Sequence, residues 1–375
     1  MACHLLDVGN ACLALWNKSM GDELRARWAR CLSLDEQTAG RWIAFWAATH
    51  DIGKISPGFQ FKSPSAKQQL KALGFAISSS PVLPHARLSA VYLQDELSDP
   101  RNGAWPAVSK KMAACVAAVV GGHHGVIPGA GELRNCRNSL GQGAWVEARS
   151  RVMTLIADEF SVAGSVPPCE LIPEAGGFWL FLAGLISVAD WVGSNAKFFQ
   201  ANGRWAGADV DWDEYRQLSQ QRADDAVRQL GFGRWSPRKT GPLSFTDVHP
   251  EIQSPRPLQK CCVEIVSHTT KPQLVLIEAP MGEGKTEAAV YLADHSSHVL
   301  GGRGLYIALP TQATSNQMFS RIEKWLRQRY QFEDETQRIN LQLLHGRTGF
   351  SEAFSELLKI AEIDTTETRL HHAIW

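Results

Sequence analysis

RWIAFWAATHDIGKI, residues 41–55, decides the fold. From Trp42 to Ala48 apolar side chains recur at three and four, the pattern of a helix covered on most of its circumference. The run ends in two polar residues, His50 and Asp51, with Gly53 as a helix terminator and Lys54 just beyond. An imidazole next to a carboxylate at a helix end suits a metal. Asp can bridge two cations through its two oxygens, and a neutral His nitrogen favours transition metals over Mg²⁺ or Ca²⁺.

The pair does not stand alone. His4 lies in ACHLLDVG, His85 in LPHARLSA, His123 and His124 in VVGGHHGV and Asp190 in ISVADWVGS, each ending or interrupting an apolar, helix-like run. Helices bundled together would bring these side chains into one cavity. Taken singly, His4 or His85 is more often a satisfied core or surface residue, and Asp190 could cap a turn. Two imidazoles after Gly121 and Gly122 are harder to dismiss, because that loop needs its glycines for close approach or positive φ and gains little from the histidines unless they bind something.

Composition bounds the rest. The chain has 375 residues, 44% hydrophobic and 20% charged, enough for at least one full core and plausibly two. Its 38 Lys and Arg balance 38 Asp and Glu, so no global positive field holds a polyanion, and nucleic-acid binding must come from local sites. The 8 cysteines form no CxxC pair or disulfide framework, which fits a reducing cytoplasm. No basic leader follows Met1, and the most apolar stretch, Phe178 to Ala189, is too short to span a bilayer and reads as a buried helix. Most of the 13 tryptophans belong in cores or interfaces.

Periodicity predicts an all-α domain over residues 1–230, a connector over 231–258 dense in Gly, Pro and Ser, and an α/β domain over 259–375. In that last part Leu274 to Glu278 and Gly304 to Leu309 are expected strands, Thr286 to Ala293 and Ser315 to Arg329 expected helices, and Ile339 to Leu344 a further strand. The stretch LVLIEAPMGEGKTEAAV matches the phosphate-loop pattern GxxxxGK[ST] with Ala279 in the first glycine position. Backbone N–H groups from Gly282 through Gly284 to Lys285 would cradle phosphates, Lys285 would reach the β and γ oxygens, and Thr286 would hold Mg²⁺.

HDIGK, GGHHG and SVADWVGS, in that order with an upstream His4 and an intermediate His85, resemble the motifs of the HD phosphohydrolase superfamily over about Met1 to Val192. Within it, HDIGKISPGFQFKSP and the sequence that follows are most similar to the HD nuclease domain of type I CRISPR-associated helicase-nucleases, closest to subtype I-E. The resemblance implies an all-α HD-domain helical bundle followed by a partial α/β RecA-like P-loop domain. It also implies His4, His50, Asp51, His85, His123, His124 and Asp190 as ligands of two divalent transition-metal ions (Mn, Fe, Co or Ni), with Asp51 bridging. Two such cations would clamp both oxygens of an in-line phosphodiester displacement and acidify a bound water. Lys54 would neutralise charge on the scissile phosphate and Ser194 would donate to a phosphate oxygen.

The later segment resembles superfamily 2 helicases, which commonly show Ala at the first P-loop position. RPLQ points to Gln259 as an adenine-sensing residue, ALPTQATSNQM to Thr311 and Gln312 as DNA-backbone contacts, and LLHG at Leu343 to Gly346 to a further motif. ATP and Mg would serve the full-length helicase. No apolar strand ending in Asp-Glu follows Thr286, and Ile363 to Asp364 lacks the preceding run, so ATP-driven unwinding is not expected of this chain. The chain then corresponds to the N-terminal portion of a longer protein, and His4 so near Met1 points to a trimmed start. The partners implied are single-stranded DNA, a crRNA-guided surveillance complex and a phage-encoded inhibitor, in the cytoplasm and away from membranes. Two other readings stand beside this one: an HD phosphohydrolase of nucleotides, and an inactive fragment that binds a partner.

Overall fold

A computed structural model describes residues 1–76, 82–99, 101, 104–168, 177–200, 210–233, 236–302, 304–331 and 341. They form two compact units that divide between residues 233 and 234.

The first unit is helical. Its elements are α1 (Ala2–Lys18), α2 (Asp22–Cys31), α3 (Glu36–Ala48), α4 (Pro57–Gln60), α5 (Pro64–Ala72), α6 (His85–Glu96), α7 (Lys110–Gly121), α8 (Ala130–Leu133), α9 (Ala144–Glu159), α10 (Phe178–Gly193) and α11 (Trp212–Gln229). Helix α3 starts where the Asp35 carboxylate accepts from Thr38 N at 2.9 Å, satisfying a donor that no helical carbonyl reaches. Trp42, Ile43, Ala44, Phe45, Trp46, Ala47 and Ala48 are all buried, so α3 is the apolar centre of the bundle, as its sequence requires. Fully covering a large apolar side chain contributes roughly 1.5 to 3 kcal/mol, and a helix buried all round collects that gain on every face. Trp16, Trp28, Trp105 and Trp145 are buried as well. The stretch read as a buried helix is α10, though Leu180 and Trp191 face outward from it.

Helix α1 packs against α3, α10 and α11. It carries two buried polar side chains, and both are satisfied from α11. Tyr215 and Ser219 donate to the two oxygens of Asp7 at 2.7 Å each, and Asn10 donates to Ser219 Oγ at 3.0 Å. Burial raises the Asp7 carboxyl above its usual range, although these hydrogen bonds pull it back.

The second unit holds α12 (Phe245–Val248), α13 (Pro257–Ser267), α14 (Lys285–Val299) and α15 (Gln312–Arg329), with a two-residue antiparallel pairing of β1 (Ser236–Pro237) and β2 (Tyr330–Gln331). The stretch expected as a connector, 231–258, is not bare linker: Phe245 and Val248 are buried in the small core with Val266, Val290, Tyr291, Ile322 and Trp325. Its apolar residues are too few to show a period, yet α12 turns them to one side.

The two expected helices are present, and the strands expected at 274–278 and 304–309 are not. Residues 274–278 run without strand pairing, with Leu274 96% and Leu276 82% exposed, and so do the described residues of 304–309. A strand exists only through the hydrogen bonds of a neighbour, and among the described residues neither segment makes such a ladder. Ile339 to Leu344 falls almost wholly outside the described residues. No described helix is long and apolar enough to cross a membrane. The described cysteines are all free.

Replacing Tyr215 by Phe leaves one oxygen of the buried Asp7 without its donor while keeping the ring's packing. Urea unfolding is expected to show a loss of about 1 to 3 kcal/mol, and an unchanged midpoint would mean that the α1 to α11 contact rests on apolar packing alone.

Candidate metal centre

Helix α3 runs out at Thr49, whose hydroxyl donates to Trp46 O at 2.8 Å, and the chain tightens into a 3₁₀ turn over Ile52–Lys54. This delivers His50 and Asp51, which are 0% and 2% exposed, into the middle of the bundle. Four other segments meet them there: the start of α1 with His4, the start of α6 with His85, the end of α7 with His123 and His124, and the end of α10 with Asp190.

The carboxylate of Asp51 lies between two groups of nitrogens. Its Oδ2 is 3.3 Å from His4 Nε2 and 3.3 Å from His50 Nε2, while its Oδ1 is 3.1 Å from His85 Nε2 and 3.9 Å from His123 Nε2. Asp190 Oδ1 closes the first group, 3.2 Å from His50 Nε2 and 3.9 Å from His4 Nε2. The second is closed by His124, whose Nε2 is 3.0 Å from that of His85. Three triads bring their ligand atoms within 4.8 Å of one another: His4, His50 and Asp190; His85, His123 and His124; and His50, Asp51 and His123 between them.

Whether these atoms suit a cation is tested by the hydrogen bonds they make and lack. His50 Nδ1 lies 3.0 Å from Ala47 O and His123 Nδ1 2.6 Å from Val120 O. A carbonyl only accepts, so each Nδ1 carries a proton and each Nε2 faces the cavity. His50 Nε2, His123 Nε2 and Asp51 Oδ1 are buried without a hydrogen-bond partner. Orphaned buried polar atoms are costly, and three of them converging is the pattern of a ligand set.

The charge states agree. Burial, the largest single influence, would raise both carboxyls, but the His50 charge and its close contact to each, joined at Asp51 by the contacts of His4 and His85, together hold Asp51 and Asp190 well below the usual range. Burial would likewise depress His50, but Asp51 and Asp190 bring it up to about 10. His123 is pushed down to about 3 by burial and then by His50, so it is a neutral donor near pH 7. Burial and His85 lower His124 in the same sense. Two carboxylates this enclosed draw positive charge to themselves, as a proton or as a cation.

Lys54 and Ser194 sit beside this cluster. Lys54 Nζ is 2.5 Å from Asp51 Oδ2. Ser194, expected on a phosphate oxygen, donates instead to Asp190 Oδ1 at 2.9 Å, because one helical turn separates the two residues and the hydroxyl reaches back along it. Three supporting residues escaped the sequence. Ser89 accepts from Gly53 N at 2.9 Å, Ser187 donates to His123 O at 2.8 Å, and Gln60 donates to Lys54 O at 2.9 Å. The available signal was a serine inside each apolar helix, four residues after His85 and three before Asp190.

In the second unit Gly282 and Gly284 both adopt positive φ, 83° and 79°, opening the loop before α14. Lys285 Nζ folds back onto the carbonyls of Ala279 and Pro280 at 2.5 and 2.9 Å, and Thr286 stands in the first turn of α14. Gln259 is buried, its Oε1 accepting from Arg256 N at 2.9 Å and its Nε2 donating to Gly284 O at 3.4 Å, while Arg256 also donates to Gly282 O. Thr311 caps α15 by accepting from Thr314 N at 3.3 Å. Gln312 opens the same helix. Leu343 to Gly346 lies outside the described residues.

Residues 1–199 match the family model described as Cas3, HD domain. The chain belongs to that family. It is 31% identical over 369 residues to the CRISPR-associated endonuclease/helicase Cas3 of Thermus thermophilus, an alignment that covers 96% of this chain and 38% of the relative. The crystal structure of T. fusca Cas3-AMPPNP superposes with a TM-score of 0.71 at 30% identity, covering 94% of this chain and 38% of that one. A chain of a CRISPR RNA-guided surveillance complex, pre-nicking, gives a TM-score of 0.59 at 28% identity, covering 87% and 36%. The chain therefore spans well under half the length of the relatives it matches. The match to the HD-domain model falls within the helical first unit.

Gly53 is where the two halves of the centre touch. It does not take a positive φ; a Cβ there would fall against the carbonyl of His85 and 2.5 Å from Ser89 N. Gly53→Ala must part the Asp51 turn from α6, and calorimetric titration with Mn²⁺ or Ni²⁺ is expected to show at least one of two binding steps weakened, with a stability loss of about 1 to 3 kcal/mol. Gly131→Ala, with open space around its Cβ, is the control. Equal metal affinity in all three proteins would show that the turn and α6 are not jointly required.

Proposed function

We propose that the chain is a metal-dependent deoxyribonuclease of CRISPR interference, cutting single-stranded DNA at the centre around Asp51. The observation that carries this is the split of Asp51: one oxygen toward His4 and His50, the other toward His85 and His123. Two divalent transition-metal ions held by the seven side chains would acidify a water and stabilise the attacking and leaving oxygens of an in-line displacement.

The chain's own residues do the positioning. Backbone carbonyls of Ala47 and Val120 fix the tautomers of His50 and His123, and Ser194 orients the Asp190 carboxylate. Lys54, now against Asp51, stands close enough to neutralise charge that grows on a phosphate bound at the centre. His4, His85 and Asp190 keep 17 to 29% of their side chains exposed, so a phosphodiester can reach the cluster from solvent.

The second unit is proposed to be part of a RecA-like motor lobe. Its support is the pair of left-handed glycines, Lys285 and Thr286 at the head of α14, and Gln259 held against the loop. The similarity to T. fusca Cas3-AMPPNP supports ATP as the nucleotide of the longer protein, and the likeness to a surveillance-complex chain supports recruitment by a crRNA-guided assembly.

The test is circular single-stranded DNA with Mn²⁺, Fe²⁺, Co²⁺ or Ni²⁺. Linear and shortened products are expected, and Asp51→Ala or His123→Ala should reduce them to background. Cutting that survives Asp51→Ala, or no cutting with any of the four metals, would sink the assignment. Hydrolysis of deoxynucleoside triphosphates in place of DNA would point to a small-nucleotide phosphohydrolase.

A further inference from the structure

The chain is neutral overall, yet its charge is not evenly spread. Between Asp51 and Asp95 there is no acidic residue, while Lys54, Lys62, Lys67, Lys71 and Arg87 all fall in that interval. It begins at the metal centre itself. Two of the five cations are neutralised locally, Lys54 by Asp51 at 2.5 Å and Arg87 by Glu132 at 2.5 Å. Among the described residues Lys62, Lys67 and Lys71 have no carboxylate partner.

Aromatic rings take the place of carboxylates. Lys62 Nζ lies 4.9 Å from the centre of the Phe59 ring, and the Lys54 ammonium approaches the same ring at 5.4 Å. Phe59 in turn meets His85 edge-on at 5.8 Å, so Lys62 is one ring away from a side chain of the centre. Further along, Lys67 Nζ is 5.8 Å from the Phe61 ring, which is anchored against Trp145 at 5.6 Å. Helix α5, carrying Lys67 and Lys71 one turn apart, buries none of its residues. A ring face holds an ammonium in place while leaving its charge unspent, whereas a carboxylate would cancel it.

We propose that the face from Lys62 along α5 to Lys71 is a phosphate track, on which the backbone of single-stranded DNA approaches the metal centre from the His85 side, Lys62 gripping the first phosphate beyond it. This rests on the nuclease reading for its substrate. Unpaired cations beside half-exposed rings are the pairing by which proteins grip single strands without regard to sequence. In a chain with no net charge, such a local field is what can gather a polyanion.

The experiment uses the full chain and the triple variant Lys62→Ala/Lys67→Ala/Lys71→Ala, with Lys62→Arg/Lys67→Arg/Lys71→Arg as the charge-keeping companion. Binding of fluorescent oligothymidylate is followed by anisotropy over a range of salt concentrations. Each phosphate that is no longer neutralised should flatten the slope of log K against log salt by about 0.7, so the alanine triple should be shallower by about 2 and bind roughly tenfold more weakly near physiological salt. The arginine triple should match the parent. Turnover of bis(p-nitrophenyl) phosphate with Mn²⁺, which needs the centre but no track, should be the same in all three. Unchanged affinity and slope in the alanine triple would overturn the proposal, as would an equal drop on the small ester, which would place the damage in the centre. Should the parent cleave neither substrate, the nuclease reading fails, and the binding slopes still decide the track.

Discussion

An ionised carboxylate buried at 2% exposure has to be met by opposite charge, and Asp51 organises the first unit around that demand. Lys54 supplies one partner from three residues away. The His50 imidazole supplies another, and further imidazoles reach the carboxylate from the start of α1, the start of α6 and the end of α7, elements far apart in the chain. Removing water from the carboxylate strengthens every one of these attractions, and the same dryness leaves His50 Nε2 and His123 Nε2 without hydrogen-bond partners. A cluster in this condition stores its unmet valence for a cation.

Convergence of so many helix ends requires backbones to come closer than side chains normally allow. Gly53 lets the Asp51 turn lie on α6, Gly121 lets the end of α7 approach Ala90 of α6, and Gly193 lets the end of α10 rest on Val8, where a Cβ would meet backbone at 2.9 Å. None of the three takes a positive φ, so their shared property is the missing side chain. Gly53 looked in the sequence like a helix terminator. What it does is admit a neighbour.

The second unit works by a different use of the same residue. Gly282 and Gly284 are left-handed, a conformation that bends the chain ahead of α14 and that other residues rarely adopt. Arg256 and Gln259 hold that loop from α13 through its carbonyls. The apolar segments before each helix remain unpaired among the described residues, since alternation and apolarity mark what a strand can be and a partner makes it one.

Helix content, the burial of α3 and α10 and the gathering of seven histidine and aspartate side chains where helices meet were legible in the sequence. Each rests on local rules: periodicity, residue chemistry, or a fixed spacing along one segment. Ser187 and Ser89 were not legible, and neither was the turning of Ser194 toward Asp190, because a hydroxyl has no directional preference until the fold gives it a neighbour. By itself the sequence determined that His4, His50, Asp51, His85, His123, His124 and Asp190 would end or interrupt apolar helical runs. The tertiary structure alone decided that one oxygen of Asp51 faces each nitrogen group, since the direction of a carboxylate is set by helices that meet only when the chain is packed.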